Sequence, residues 1–175
     1  DDKKLFINLG IVNNNKAILS PGSGVDLNYF GFKKNIFTKK TKFLFFGRLL
    51  NEKGIREFIE VAIKINKLKL DCEFKIIGNL DKKNPSSISL NELKEFKKFR
   101  NNKFKKFQSD VREDIKWSNC VVLPSYREGT PRGLLEALSV GRPIITTDAI
   151  GCREVIKNKK NGFKTKIKDV NSLFL

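Results

Sequence analysis

The chain has 175 residues, room for one domain of ordinary size or a compact pair of very small ones. Apolar residues make up 39% of it, enough for a sizeable core, so the 31% that are charged do not signal disorder. Lysine and arginine number 36 against 19 aspartates and glutamates, a formal charge of +17 that raises the question of anionic partners. Histidine is absent, which removes Ser-His and Cys-His catalysis and histidine-ligated metals from this chain. No run approaches the roughly eighteen apolar residues of a membrane span. Cys72, Cys120 and Cys152 lie far apart and read as reduced thiols of a cytoplasmic protein.

In chain order, the first 35 residues are irregular. Lys16–Leu19 reads as a short strand, and Pro21-Gly22-Ser23-Gly24 as a turn that no regular element tolerates. Lys42–Phe46 follows as a buried strand ending at Gly47. The spacing of Ile55, Phe58, Ile59, Ala62 and Ile63 predicts a helix over Lys53–Lys67. Glu73–Ile77 is the next strand, stopped by Gly78 and followed by a loop over residues 79–89. Leu90–Arg100 reads as a helix, Lys103–Phe107 as a strand, Asp110–Trp117 as a short helix and Cys120–Leu123 as a strand halted by Pro124. A helix over Pro131–Val140, a strand over Pro143–Thr146, a short helix over Arg153–Ile156 and a strand over Phe163–Ile167 complete the pattern. This alternation predicts an α/β domain with a Rossmann-like, doubly wound, mainly parallel sheet.

Residues 1–18 are expected to form a hinge or interdomain segment, and 19–175 the sheet domain. The chain opens Asp1-Asp2-Lys3-Lys4, holds no methionine, and ends in Asp169–Leu175, which reads as the first turn of a helix. The expectation is a piece of a longer protein, truncated at its C-terminus.

The densest basic cluster, Lys94, Lys97, Lys98, Arg100, Lys103, Lys105 and Lys106, is interleaved with Phe96, Phe99, Phe104 and Phe107. Aromatic rings among cations can stack bases. The spacing equally suits the inner faces of a helix and a following strand, with the lysines in water. No nucleic-acid partner is expected. An anionic membrane surface, worth on the order of 1 kcal/mol per nearby Lys or Arg, is the weightier alternative.

Ligands of doubly wound sheets bind outside the carboxyl ends of the strands, where loops lead into helix N-termini. Two such junctions carry residues ill suited to packing alone. Gly47-Arg48-Leu49-Leu50-Asn51-Glu52-Lys53-Gly54 sets two cations at a helix entrance, whose positive dipole end disfavours them. A bound anion resolves that conflict, and a diphosphate fits best. The alternative is that Arg48 and Lys53 simply point into water. In Pro124–Leu138, Thr130 suits an N-cap and Pro131 the first helical position. The turn then exposes the N–H groups of Gly129 and Thr130, with those of Arg132 and Gly133 inside the first turn. Glu136 follows among Leu134, Leu135, Ala137 and Leu138, where a carboxylate is costly unless something hydrogen-bonds it. Ribose hydroxyls would do so, and so would an ion pair with Arg48 or Arg132. Glu128 stands at the loop mouth, free to accept hydrogen bonds from a polar ligand.

Glu128 and Glu136, with seven residues between them, reproduce the E-x7-E motif of retaining family 4 glycosyltransferases. PSYREGTPRGLLEALSVGRPIITTDAIGCREVI, over residues 124–156, resembles those enzymes at nearly every position. GRLLNEKG matches their Gly-Arg…Lys-Gly diphosphate motif, and PGSGVD resembles the turn near their domain hinge. Three motifs in order, spread from about Leu19 to the end, identify the chain as resembling the C-terminal, donor-binding half of a two-domain GT-B enzyme. The resemblance implies that the N-terminal acceptor domain of such enzymes is not part of this chain.

The resemblance implies roles residue by residue. Arg48 and Lys53, beside Gly47, neutralise the donor diphosphate and assist its departure. Glu136 holds the ribose hydroxyls, and Glu128 the donor sugar at the reacting centre. Backbone N–H groups of Gly129, Thr130, Arg132 and Gly133 face the phosphates or the sugar. Uracil lies near Gly78 and the Ser109-Asp110-Val111 loop. No Asp-x-Asp triplet occurs, so neither a metal nor any cofactor beyond the UDP-sugar substrate is expected. Many relatives have an aromatic residue and a glycine where this chain has Thr130 and Pro131, and Pro131 lacks one N–H donor. Cys152 reads as a packing residue.

The chain further resembles bacterial enzymes that build capsule, O-antigen or N-glycan precursors on polyprenyl diphosphate. The expected activity is transfer of a hexose or N-acetylhexosamine from a UDP-sugar, with retention, to a lipid-linked or polysaccharide acceptor. The intact enzyme is expected to be cytoplasmic, peripheral at the inner face of the membrane, and this piece alone inactive. The alternatives are another GT-B enzyme such as a nucleotide-sugar epimerase, or a basic module for nucleic acid or anionic membrane.

Overall fold

Short runs of β-branched and aromatic residues turn six segments into strands of one sheet. These are β1 (Thr41–Phe46), β2 (Cys72–Ile77), β3 (Asn102–Lys105), β4 (Cys120–Leu123), β5 (Ile144–Thr147) and β6 (Gly162–Thr165). They lie in the order β3-β2-β1-β4-β5-β6, and every pair is parallel. The chain winds outward from β1 to β3, returns to place β4 on the other side of β1, and winds outward again to β6. The expected doubly wound sheet is therefore present, with its topological switch point between β1 and β4. The computed structural model describes residues 2–20, 22–157 and 159–174. Pro21 of the Pro21–Gly24 turn, and the terminal Asp1 and Leu175, lie outside the described residues.

Among those residues the helices are α1 (Asp2–Asn8), α2 (Ile55–Lys67), α3 (Leu90–Lys97), α4 (Arg112–Trp117), α5 (Arg132–Ser139) and α6 (Val170–Phe174). Side-chain alternation sends Leu44 and Val121 to one face of the sheet, where Ile115 of α4 and Leu134 and Ala137 of α5 cover them. Phe45 and Val122 go to the other face, under Phe58, Ile59 and Ala62 of α2 and Phe96 of α3. Ser89 and Glu92 form a reciprocal capping box that starts α3. Arg142 is buried and ties three chain segments together, donating to the carbonyls of Lys33, Lys116 and Val140. No described residue before Phe30 is buried.

Several boundaries differ from those read in the sequence, each for a physical reason. Lys16–Leu19 is not a strand. A 3-10 turn spans Asn14–Lys16, and Ile18 and Leu19 are exposed with no strand to pair with. The helix expected from Lys53 starts at Ile55, because Asn51–Lys53 forms a separate 3-10 turn that Gly54 ends in a left-handed conformation. Arg153–Ile156 forms isolated turns instead of a helix. The sequence pattern does not predict α1. It buries no residue, and Arg127 ties it to the loop after β4 through Asp2. Phe96 is buried and Phe104 half-buried, as inward positions should be, but Phe107 is 66% exposed because β3 ends at Lys105.

Candidate active site

At the switch point, the carboxyl ends of β1 and β4 open into a cleft of about 280 Å³. Its walls are Phe46, Gly47, Arg48 and Lys53 from the first junction and Leu123, Glu128, Pro131, Arg132, Gly133 and Glu136 from the second. Two stretches some eighty residues apart thus meet at one place. Gly54 makes the meeting possible, since a Cβ there would lie 2.1 Å from the Pro124 carbonyl oxygen. The Ser125 hydroxyl and the Tyr126 N–H then both donate to the Glu52 carbonyl, at 2.9 and 2.8 Å.

Lys53 Nζ lies 2.6 and 2.7 Å from the two oxygens of Glu128. Their side chains are only 19% and 13% exposed. Glu128 is therefore not free at the loop mouth, and Lys53 does not point into water. The Glu128 N–H donates to the Ile150 carbonyl, and the bare Gly151 lets the carbonyls of Glu128 and Gly129 approach closely.

Glu136 is 8% exposed, and its Oε1 accepts from Arg132 Nε at 3.0 Å. Arg132, and not Arg48, is therefore its ion-pair partner. Burial pushes the Glu136 carboxyl above its ordinary pKa, and Arg132 opposes the shift. Arg48 is exposed on the cleft wall, and its side chain makes no ion pair or hydrogen bond among the described residues. Pro131, and not Thr130, is the N-cap residue of α5. Its ψ of 97° is extended, and its carbonyl accepts from Leu134 and Leu135. The first-turn N–H groups of Arg132 and Gly133 have no intrahelical partner. Those of Gly129 and Thr130 donate to no backbone carbonyl among the described residues. Three cations, two carboxylates and a helix N-terminus leave the cleft suited to an anion.

Four expected site residues lie outside the cleft walls. Gly78 sits beside Gly47 at the neighbouring strand end, and the Thr130 side chain packs on Gly22. Gly129 is exposed. Asp110 is exposed before α4, where hydrogen bonds from the Arg112 side chain and N–H lower its pKa to about 2. The sequence reading missed Phe46 and Leu123, the apolar floor, because both look like ordinary strand residues. A larger cavity of about 590 Å³ lies against the α2 face of the sheet. Its lining is mainly apolar, and the charged residue in it, Lys164, hydrogen-bonds Asp148. It lacks the convergent charged groups of the cleft. No cluster of three or more His, Cys, Asp or Glu is placed to hold a metal among the described residues.

The sequence pattern of the glycosyl transferases group 1 family matches residues 30–174. The chain belongs to this family. It is 34% identical over 178 residues to the N,N'-diacetylbacillosaminyl-diphospho-undecaprenol alpha-1,3-N-acetylgalactosaminyltransferase of Campylobacter jejuni, covering 95% of this chain and 45% of that protein. To the UDP-Gal:alpha-D-GlcNAc-diphosphoundecaprenol alpha-1,3-galactosyltransferase of Escherichia coli it is 30% identical, covering 98% of this chain and 47% of that one. The chain thus spans about half the length of these curated relatives. Anabaena HepE, solved in complex with UDP, superimposes with a TM-score of 0.81 at 18% identity, over 98% of this chain and 49% of its own. That likeness establishes the fold of this group 1 glycosyltransferase domain, with the cleft at the switch point as its candidate active site.

Proposed function

We propose that this chain is the donor-binding half of a retaining glycosyltransferase. It transfers a hexose or N-acetylhexosamine from a UDP-sugar to a polyprenyl-diphosphate-linked or polysaccharide acceptor in bacterial surface-glycan synthesis. One observation carries the reading: the cleft gathers Arg48, Lys53, Glu128, Arg132 and Glu136 around the unpartnered first-turn N–H groups of α5. The activities for which the relatives from Campylobacter jejuni and Escherichia coli are named support the acceptor class, and the UDP of HepE supports the nucleotide.

In this reading Arg48 and Lys53 neutralise the donor diphosphate and stabilise the UDP that leaves. Glu136 accepts the ribose hydroxyls, and Glu128 faces the sugar where the anomeric bond breaks. These cations carry the charge balance, so the reaction needs no divalent ion. The acceptor enters from a second domain, which makes this half alone a UDP binder without turnover. No helix among the described residues is long and apolar enough to cross a membrane. The excess of cations on the chain supports peripheral contact with the anionic cytoplasmic face, where a lipid-linked acceptor resides.

Titration with UDP tests the reading. Saturable binding that persists in EDTA and at moderate salt is expected. Binding only to arbitrary oligonucleotides, falling steeply with salt, would instead make the chain a basic nucleic-acid module. Sedimentation with anionic and with neutral vesicles tests the membrane contact, and equal recovery with both refutes it.

A further inference from the structure

Behind the cleft, two side chains that line none of it form a bond the fold does not need for packing. Glu57, in the first turn of α2, is 8% exposed, and its Oε2 is buried with no hydrogen-bond partner. Its Oε1 accepts the Tyr126 hydroxyl at 2.5 Å, and Asn51 Oδ1 lies 3.3 Å from the same hydroxyl. An apolar residue would fill the position without leaving a carboxylate oxygen unsatisfied, so packing alone does not account for Glu57. Burial and the adjacent Glu57 charge push the Tyr126 pKa up, which keeps the hydroxyl a donor.

The bond joins the two segments that carry the cleft's closest charges. Tyr126 precedes Glu128 by two residues, and Glu57 follows Lys53 by four. On one side of Lys53, Ser125 and Tyr126 already reach the Glu52 carbonyl. On the other side, the Tyr126–Glu57 bond closes the strap. We propose that Tyr126 and Glu57 are positioning residues that set the spacing between Lys53 and Glu128, and so between the diphosphate and sugar ends of the donor. This rests on the donor-site reading above.

Calorimetric UDP titration and thermal unfolding of the 175-residue chain test it together. Tyr126→Phe should raise the UDP Kd by about three- to tenfold, because the loosened strap no longer holds Lys53 against the diphosphate. Glu57→Gln keeps an acceptor for the hydroxyl and should hold the Kd within about twofold. The double variant Tyr126→Phe with Glu57→Leu removes both polar partners, so its Tm should return toward that of the wild type while its Kd stays raised. A wild-type Kd in Tyr126→Phe, or a Kd that recovers along with Tm in the double variant, overturns the positioning role and leaves the donor site standing. A wild-type chain that binds no UDP overturns both.

Discussion

Two lysine–carboxylate pairs in this chain have the same 2.6 Å separation and opposite surroundings. Lys75–Asp114 is enclosed between the sheet and α4, with Lys105 as a second partner and the Trp117 ring 3.6 Å from Lys75 Nζ. Lys53–Glu128 lies on a cleft wall, next to the exposed Arg48 and the open N-terminus of α5. The first pair finds its partners within the protein. The second sits beside an exposed Arg48 side chain and first-turn N–H groups of α5 that nothing within the described residues completes. Distance alone therefore does not distinguish the two pairs, whereas the partners left over around each one do.

Breaking the structural pair should have the largest effect. Asp114→Ala leaves Lys75 buried against Trp117 without its carboxylate and Lys105 unpaired, and should cost about 3 kcal/mol of stability, read by denaturant unfolding, with UDP affinity unchanged in the folded fraction. An equal loss of UDP affinity would erase the contrast between the pairs.

At the cleft the order should invert. Glu136→Ala should weaken UDP binding by about 1–3 kcal/mol with little loss of stability. Glu128→Ala should spare UDP affinity and impair turnover of the intact enzyme. Equal effects of both on UDP binding would refute their division between ribose and sugar.

Acid sharpens the comparison, because the two sites titrate in opposite directions. For Asp114, burial acts upward, but hydrogen bonds and charge from Lys105 and Lys75 together bring the folded pKa below the ordinary 3.8. Its contribution to stability is present above that ordinary value and is lost as pH falls through the folded one. For Glu136, burial raises the folded pKa above 4.5. The fold disfavours its ionised form, so acidification through that range adds stability while removing the carboxylate that would accept ribose hydroxyls. UDP affinity should therefore decline on acidification from above pH 4.5, before the Asp114 pair fails. Glu136→Gln should abolish that inflection in a series of UDP titrations.

The smallest effect belongs to Arg48. Being exposed and unpartnered, Arg48→Ala should leave stability within about 0.5 kcal/mol. It should weaken UDP binding by about 1 kcal/mol, a difference that shrinks as salt rises. An unchanged UDP affinity at low salt would remove Arg48 from the diphosphate site.

The sequence by itself determined the alternation of strands and helices, the parallel sheet and the two junctions that carry charge. Periodic apolar residues, and glycines or prolines at element ends, are local signals that survive without coordinates. Arg48, Lys53, Arg132 and Glu136 were legible as charges placed where a helix entrance or an apolar run should not hold them, and Glu128 by its place at a loop mouth with seven residues between it and Glu136. Only the tertiary structure decided which of those charges meet. Lys53 and Glu128 are 75 residues apart, and nothing near either one names the other. Glu57 shows the limit most clearly. On the α2 pattern it falls off the apolar stripe and reads as a solvated glutamate, yet the loop after β4 folds over it and buries it against Tyr126. Burial is set by which distant segment covers a residue, and that depends on the whole chain packing at once.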